Sequence, residues 1–153
     1  MRKLITLVLA AVMVLSLCVS TYAINNDNVL FNFTASIFAY NPISEPVQKI
    51  DSSPSYIAVA TATHKQLRIK AEGSNSKTGN FVNCTYNGNL QKVSYVTIST
   101  APEKLPTSHR IRNFIHETGY TWGRLTGSTP EVLGNKITGH WSVDSSGSAP
   151  YAN

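Results

Sequence analysis

The sequence is poor in charged residues, in cysteine and in long helical patterns, and each scarcity excludes a class of protein. Only 14% of its 153 residues are charged, whereas Ser, Thr and Asn make up close to a third of the chain after residue 23. This composition excludes a coiled coil, a highly charged disordered chain and a strong nucleic-acid binder. The formal net charge is +5, of which Arg2 and Lys3 contribute two units.

Cysteine is almost absent from the part of the chain that we expect to be mature. Cys18 lies in a predicted export signal, which leaves Cys84 as the one remaining thiol. An internal disulfide is then impossible. Exported proteins that rely on disulfides carry even numbers of cysteines, and the expected mature chain does not fit that pattern. Val82, Cys84 and Tyr86 fall on one face of a predicted strand, so we interpret Cys84 as a small buried apolar residue. A nucleophilic role would require a base held beside it.

The first 23 residues have the order of a secretory signal peptide. A basic start at residues 1–3 precedes a nearly unbroken apolar run over residues 4–19, and small residues lead to Ala23. The run has 16 residues, and a helix that spans a membrane needs about 20. We therefore predict cleavage after Ala23 and a secreted, extracellular protein.

Alternating apolar and polar residues between turn clusters predict an all-β fold. The predicted strands cover residues 31–38, 56–63, 66–70, 81–86, 93–99, 120–126 and 136–143. Residues 43–54 contain two prolines and are interpreted as a loop or an irregular edge. The turn Asn87-Gly88-Asn89 predicts a hairpin in which residues 93–99 pair back on residues 81–86.

Residues 107–118 fit two structures. Ile111, Phe114 and Ile115 have the i, i+3, i+4 spacing of a helix. In a strand, Ile111, Asn113 and Ile115 would instead share one face. We favour the strand because the neighbouring segments are β.

Together these patterns predict a single antiparallel β-sandwich or jelly-roll-like domain over residues 24–144. Residues 145–153 are rich in Ser and Gly, and we predict a flexible C-terminal tail there. The alternation assigns one set of residues to the inner face: Phe31, Phe33, Ile37, Leu67, Ile69, Val82, Cys84, Val96, Ile98, Ile137 and Trp141.

Common enzyme signatures are missing from the sequence. There is no Gly-x-Ser-x-Gly elbow, phosphate-binding loop, paired zinc-type histidine motif or calcium loop. The few carboxylates lie mostly in connections, and the histidines are scattered singly. We therefore predict no catalytic residue, no cofactor and no metal site. The rival interpretation is a divergent secreted hydrolase in which a histidine and a carboxylate such as Glu117 line a cleft.

One basic concentration remains as a candidate binding surface. Arg110 and Arg112 point the same way on a strand, and so do Tyr120, Trp122 and Arg124. If the two strands are neighbours, these residues form a basic and aromatic patch suited to an anionic cell-envelope polymer or a membrane surface. The alternative is an ordinary solvated strand face.

Two short motifs carry a resemblance to a known group of proteins. Leu30-Phe31-Asn32-Phe33-Thr34 follows the signal, and Gly139-His140-Trp141-Ser142-Val143-Asp144-Ser145 lies near the end. The chain resembles small secreted proteins of Gram-positive bacteria (Firmicutes) that are grouped as a domain of unknown function. It has a more distant similarity to the lactococcin-972-like bacteriocins. The family has no established activity, so the resemblance implies no catalytic residues.

These observations favour a non-enzymatic binding or cell-envelope-interacting module as the function. The alternatives are the divergent hydrolase and a bacteriocin-like antimicrobial protein.

Overall fold

The structure is a computed structural model that describes residues 29–145 and 147–153. Ten short β-strands form the fold over these residues. A 3₁₀ turn, Pro102–Lys104, precedes the eighth strand. The strands are β1 (Val29–Ala35), β2 (Asn41–Pro42), β3 (Val47–Gln48), β4 (Ser55–Ala62), β5 (Gln66–Ser74), β6 (Val82–Asn83), β7 (Val96–Ser99), β8 (Thr107–Ile111), β9 (Trp122–Ser128) and β10 (Asn135–Ser142).

The strands pair into two antiparallel sheets. The first sheet has the order β1-β10-β4-β8. In the second, β9 and β5 are neighbours, β2 and β3 both pair with β9, and β6 and β7 both pair with β5. If β2 with β3 and β6 with β7 are counted as two interrupted strands, this is the strand order of a jelly roll. The predicted all-β sandwich is confirmed.

Inward side chains from both sheets form one apolar core. Strand β5 shows how the sequence produces it. Leu67 and Ile69 are buried, while the alternate residues Arg68 and Lys70 face outward and are partly exposed. Trp141 is completely buried, and its indole nitrogen donates a hydrogen bond to the Ser44 hydroxyl. That bond satisfies the one polar atom of an otherwise apolar side chain.

Most of the predicted inner face is buried, but two of its residues are exposed. Ile37 is 39% exposed because β1 ends at Ala35 and the residue lies past the strand. Val82 is 43% exposed because β6 is only two residues long. The alternation fails there, since the consecutive residues Cys84 and Thr85 are both buried. The rest of the predicted set is buried, apart from half-buried Phe33: Phe31, Leu67, Ile69, Cys84, Val96, Ile98, Ile137 and Trp141.

The predicted hairpin is only partly correct. A turn does follow Asn87, whose backbone nitrogen donates to the Gln91 carbonyl, and Tyr86 pairs with Lys92. Strand β7, however, pairs with β5 and not with residues 81–86. The positive φ also falls at Leu90, not within Asn-Gly. Pairing with β5 places Val96 and Ile98, the inward residues of β7, in the apolar core.

Residues 107–118 begin as a strand and end in a turn. Strand β8 pairs with β4 so that Ile111 lies opposite Ser55. Ile111, Asn113 and Ile115 are all buried, as the strand interpretation requires. Turns then occupy residues 115–119.

Residues 149–153 lie against the outer strands of both sheets. The Arg110 nitrogen donates to the Pro150 carbonyl at 2.8 Å, and the Ala152 nitrogen donates to the Arg110 carbonyl at 2.9 Å. On the second sheet, the Thr97 nitrogen donates to the Asn153 carbonyl at 2.7 Å. Composition predicted a flexible tail here. The structure instead pairs the segment with β8, because β8 is the outer strand of the first sheet and its backbone groups on that side have no neighbouring strand to bond among the described residues.

The predicted export signal, residues 1–23, lies outside the described residues. Within the described part of the chain, no helix has the length and apolar character needed to cross a membrane.

Candidate functional site

Two arginine side chains lie over one tyrosine ring. The Arg110 and Arg112 guanidinium carbons are each 4.3 Å from the centre of the Tyr151 ring. Residues 149–153 hold the ring in place through their backbone bonds to β8, and the Arg110 Nε donates to the Ala149 carbonyl at 2.5 Å. We call Arg110, Arg112 and Tyr151 the arginine cluster.

A small cleft opens beside the arginine cluster. It has a volume of about 140 Å³ and is lined by Ser52, Pro54, Arg112, Asn113, Phe114 and Tyr151. The Phe114 ring stacks on Tyr86 with 4.2 Å between ring centres, which fixes one wall. The lining therefore combines a cation, two aromatic rings and short polar groups.

The arginine cluster has unsatisfied capacity to bind an anion. Across residues 29–145 and 147–153, neither Arg110 nor Arg112 forms an ion pair with a carboxylate. The Arg112 Nε is buried and has no hydrogen-bond partner in the described structure. A buried donor without an acceptor costs free energy.

The other three residues of the predicted patch lie elsewhere. Arg124 is on β9 in the second sheet, where its Nη2 lies 2.8 Å from the Glu72 carboxylate and its guanidinium covers Phe81. Trp122 is half-buried on the same strand, and Tyr120 packs over Gly73. The expectation of two adjacent strands is wrong, because the chain crosses from the first sheet to the second between β8 and β9.

The outer face of the second sheet carries two more cation–aromatic pairs. Arg68 lies over Tyr95 at 5.0 Å, and Lys70 lies over Tyr40 at 3.7 Å. Neither pair borders the cleft beside Tyr151. These residues match the chemistry of the arginine cluster on a different face of the molecule.

The groups with shifted pKa values do not converge on this cleft. Burial lowers the pKa of His109 and raises the pKa of the Cys84 thiol. The cleft lining contains no histidine, cysteine or carboxylate, and Glu117 lies exposed in a turn. No group of three or more His, Cys, Asp or Glu within the described ranges could hold a metal ion.

The structure also contains a buried cluster of charged side chains that the sequence did not indicate. The side chains of Lys49 and Asp144 are completely buried and in direct contact, with Asp51 Oδ1 3.6 Å from the Lys49 Nζ. Lys49 also donates to the Ser53 carbonyl at 2.5 Å. Asp144 belongs to the motif at residues 139–145, which has the pattern Gly-x-Trp-x-x-Asp-Ser and was the only sequence signal for it. Nothing in the sequence marked Lys49 or Tyr151.

Comparisons with known proteins give one family match. Residues 19–145 match the family described as "Protein of unknown function (DUF2712)". No curated protein matches the chain. No solved structure matches it either.

Proposed function

The chain belongs to the DUF2712 family, and we propose that it is an exported, non-enzymatic module that binds an anionic polymer of the cell envelope through the arginine cluster. One observation supports the proposal above the others. Two guanidinium groups lie over a single ring at the edge of a cleft, and neither has a carboxylate partner in the described structure.

The chemistry of arginine favours phosphate or carboxylate as the bound group. A guanidinium presents N–H donors in a planar fork that matches the oxygens of these anions. Tyr151 orients both forks, which reduces the side-chain entropy lost on binding. The cleft is too small for a large ligand, so it suits one repeating unit of a polymer that continues along the surface.

The first experiment compares binding of the folded protein to two anionic polymers, polyphosphate and polyglutamate. Arg110→Ser with Arg112→Ser should weaken binding by about tenfold or more, because each charge-assisted hydrogen bond contributes about 1.5–3 kcal/mol. Binding by the unsubstituted protein should weaken with salt, since exposed charges are screened beyond about 8–10 Å. The preferred polymer identifies the anion class.

The matched control is Arg68→Ser with Lys70→Ser. It removes the same charge from two side chains that also lie over tyrosine rings, but on the second sheet. This variant should bind within about threefold of the unsubstituted protein, since only general attraction is lost. Equal losses in the two variants would contradict a specific site and leave only the net positive charge as the cause.

A second candidate ligand is a membrane surface. Exposed apolar residues support it, at the end of the sandwich opposite the arginine cluster. Phe38 is 91% exposed, Leu133 is 87% exposed and Val132 is 79% exposed. Their loops leave the sheets side by side, because the Thr129 nitrogen donates to the Ser36 carbonyl at 3.1 Å. Apolar side chains that project this far suit a fluid interface better than a flat protein partner.

Vesicle binding tests the membrane alternative separately. Phe38→Ser with Leu133→Ser should reduce association with anionic vesicles and leave polymer binding unchanged. If the unsubstituted protein does not associate with vesicles, the membrane candidate is wrong and the polymer proposal is unaffected.

A further inference from the structure

We propose that Lys49 and Asp144 form an intramolecular amide bond between their side chains, with Asp51 carrying the proton that the reaction must move. Lys49 follows β3 of the second sheet and Asp144 follows β10 of the first, so the bond would join the two sheets covalently. The two residues are 95 positions apart in the sequence.

Lys49 and Asp144 lie in apolar surroundings, where charged groups are poorly tolerated. The Lys49 stem lies beside Gly123 together with Ile115 and Val143, both of which belong to the apolar core. Both charged side chains have no exposed surface. Burying an ion pair sacrifices hydration that the attraction between the charges often fails to recover. A proton that moves from one partner to the other removes both buried charges.

Proton transfer prepares both groups for reaction. A proton that moves from the Lys49 ammonium to the Asp144 carboxylate leaves a neutral amine in contact with a neutral acid. Burial raises the pKa of Asp144, against the opposing effect of Lys49, which agrees with a carboxyl that holds a proton. Burial also acts to raise the pKa of Asp51, but the hydrogen bonds from Ser53, together with the Asp144 side chain and the Lys49 charge, outweigh it and lower that pKa. Asp51 thus remains an anion that can accept a proton.

The reaction balances without any added reagent. The Lys49 nitrogen attacks the Asp144 side-chain carbon and forms the carbon–nitrogen bond. Asp51 accepts a proton from the nitrogen and returns it to the departing Asp144 oxygen. One carbon–oxygen bond breaks, one water molecule leaves, and Asp51 regains its starting state. No oxidant, metal or cofactor takes part.

The position of Asp51 fits this role. Its Oδ1 is 3.6 Å from the Lys49 Nζ, and the Ser53 nitrogen donates to the same oxygen at 2.7 Å, which fixes the carboxylate. The Ser53 hydroxyl lies 3.3 Å from Asp144 Oδ1. Asp51 is partly exposed, so it can exchange protons with solvent after each transfer.

The first experiment measures the intact mass of the folded, purified protein, with its N-terminus determined independently. The expected mass is lower than the sequence mass by one water molecule. Protease digestion should then yield one branched peptide that joins residue 49 to residue 144. A full sequence mass overturns the proposal. So does a water loss that maps to a single unbranched peptide, as a succinimide would.

Three variants test the assigned roles. Lys49→Arg keeps the charge and should restore the full mass, whereas the control Lys70→Arg should retain the loss. Asp144→Asn should lose ammonia in place of water if the same carbon is attacked. Asp51→Asn should reduce the bonded fraction at least tenfold in a fixed folding time, and an unchanged fraction would overturn the assignment of Asp51. The result for the unsubstituted protein stands even if a variant fails to fold.

Discussion

Gly139, the first residue of the Gly-x-Trp-x-x-Asp-Ser motif, should not tolerate a methyl group. It lies in β10 where the pairing with β4 shifts register between Thr138 and Gly139. A Cβ atom there would be 2.0 Å from the Ala58 carbonyl oxygen and 2.9 Å from the Phe31 ring. The nearer atom is backbone of a central strand, so it cannot rotate away.

The loss of stability in Gly139→Ala depends on how little the atoms around the added carbon can move. Adding a methyl group to a packed interior costs about 1–3 kcal/mol, and a clash with the backbone places Gly139→Ala at about 3 kcal/mol. For a domain of this size, that loss lowers the melting temperature by roughly 10 °C. Thermal unfolding followed by circular dichroism measures it directly.

The control is Gly88→Ala, where the nearest atom to the added carbon is the Asn153 Oδ1 at 3.6 Å. This exposed change should shift the free energy of unfolding by less than about 0.5 kcal/mol. If Gly139→Ala melts within about 2 °C of the unsubstituted protein, the close approach of β4 to β10 is not as described and the reasoning is refuted.

Three further predictions concern other parts of the molecule. The amides of Arg110 and Thr97 should exchange slowly with deuterium, because residues 149–153 accept hydrogen bonds from them; rapid exchange would show that this segment is detached in solution. Burial lowers the pKa of His109 below its ordinary value of 6.5, so the folded state binds fewer protons than the unfolded state and the free energy of unfolding should fall as the pH falls below 6.5. His109→Gln should flatten that slope in denaturant titrations. Burial raises the pKa of Cys84, so alkylation at about pH 8 should be slow in the native protein and fast in denaturant; equal rates would contradict the buried position.

Local alternation was enough to predict the fold class and most of the core. Leu67 and Ile69 face inward and Arg68 faces outward, as a period of two requires. Strand partners depend on the whole chain, however. The Asn87-Gly88 turn signal was sound as a turn, but it could not show that β7 pairs with β5.

The candidate site was predicted only in part, because its members come from distant segments. Arg110 and Arg112 were recognised as one face of a strand, and the structure keeps them together over Tyr151. Tyr151 itself sits in a polar segment with no strand pattern. Lys49 has the local context of a surface lysine, and its burial depends on Asp144, far along the chain. Such contacts leave no periodic trace in one sequence.

The docking of residues 149–153 also bears on self-association through the outer strands. An uncovered outer strand is a template on which another chain can add, and it promotes aggregation. This segment shields the backbone of Arg110 and Thr97 through bonds that a second copy could otherwise make. Ala152 is only 4% exposed, so a charge there, as in Ala152→Asp, would release the segment. We expect concentrated solutions of that variant to form oligomers held by strands added at β8 and β7.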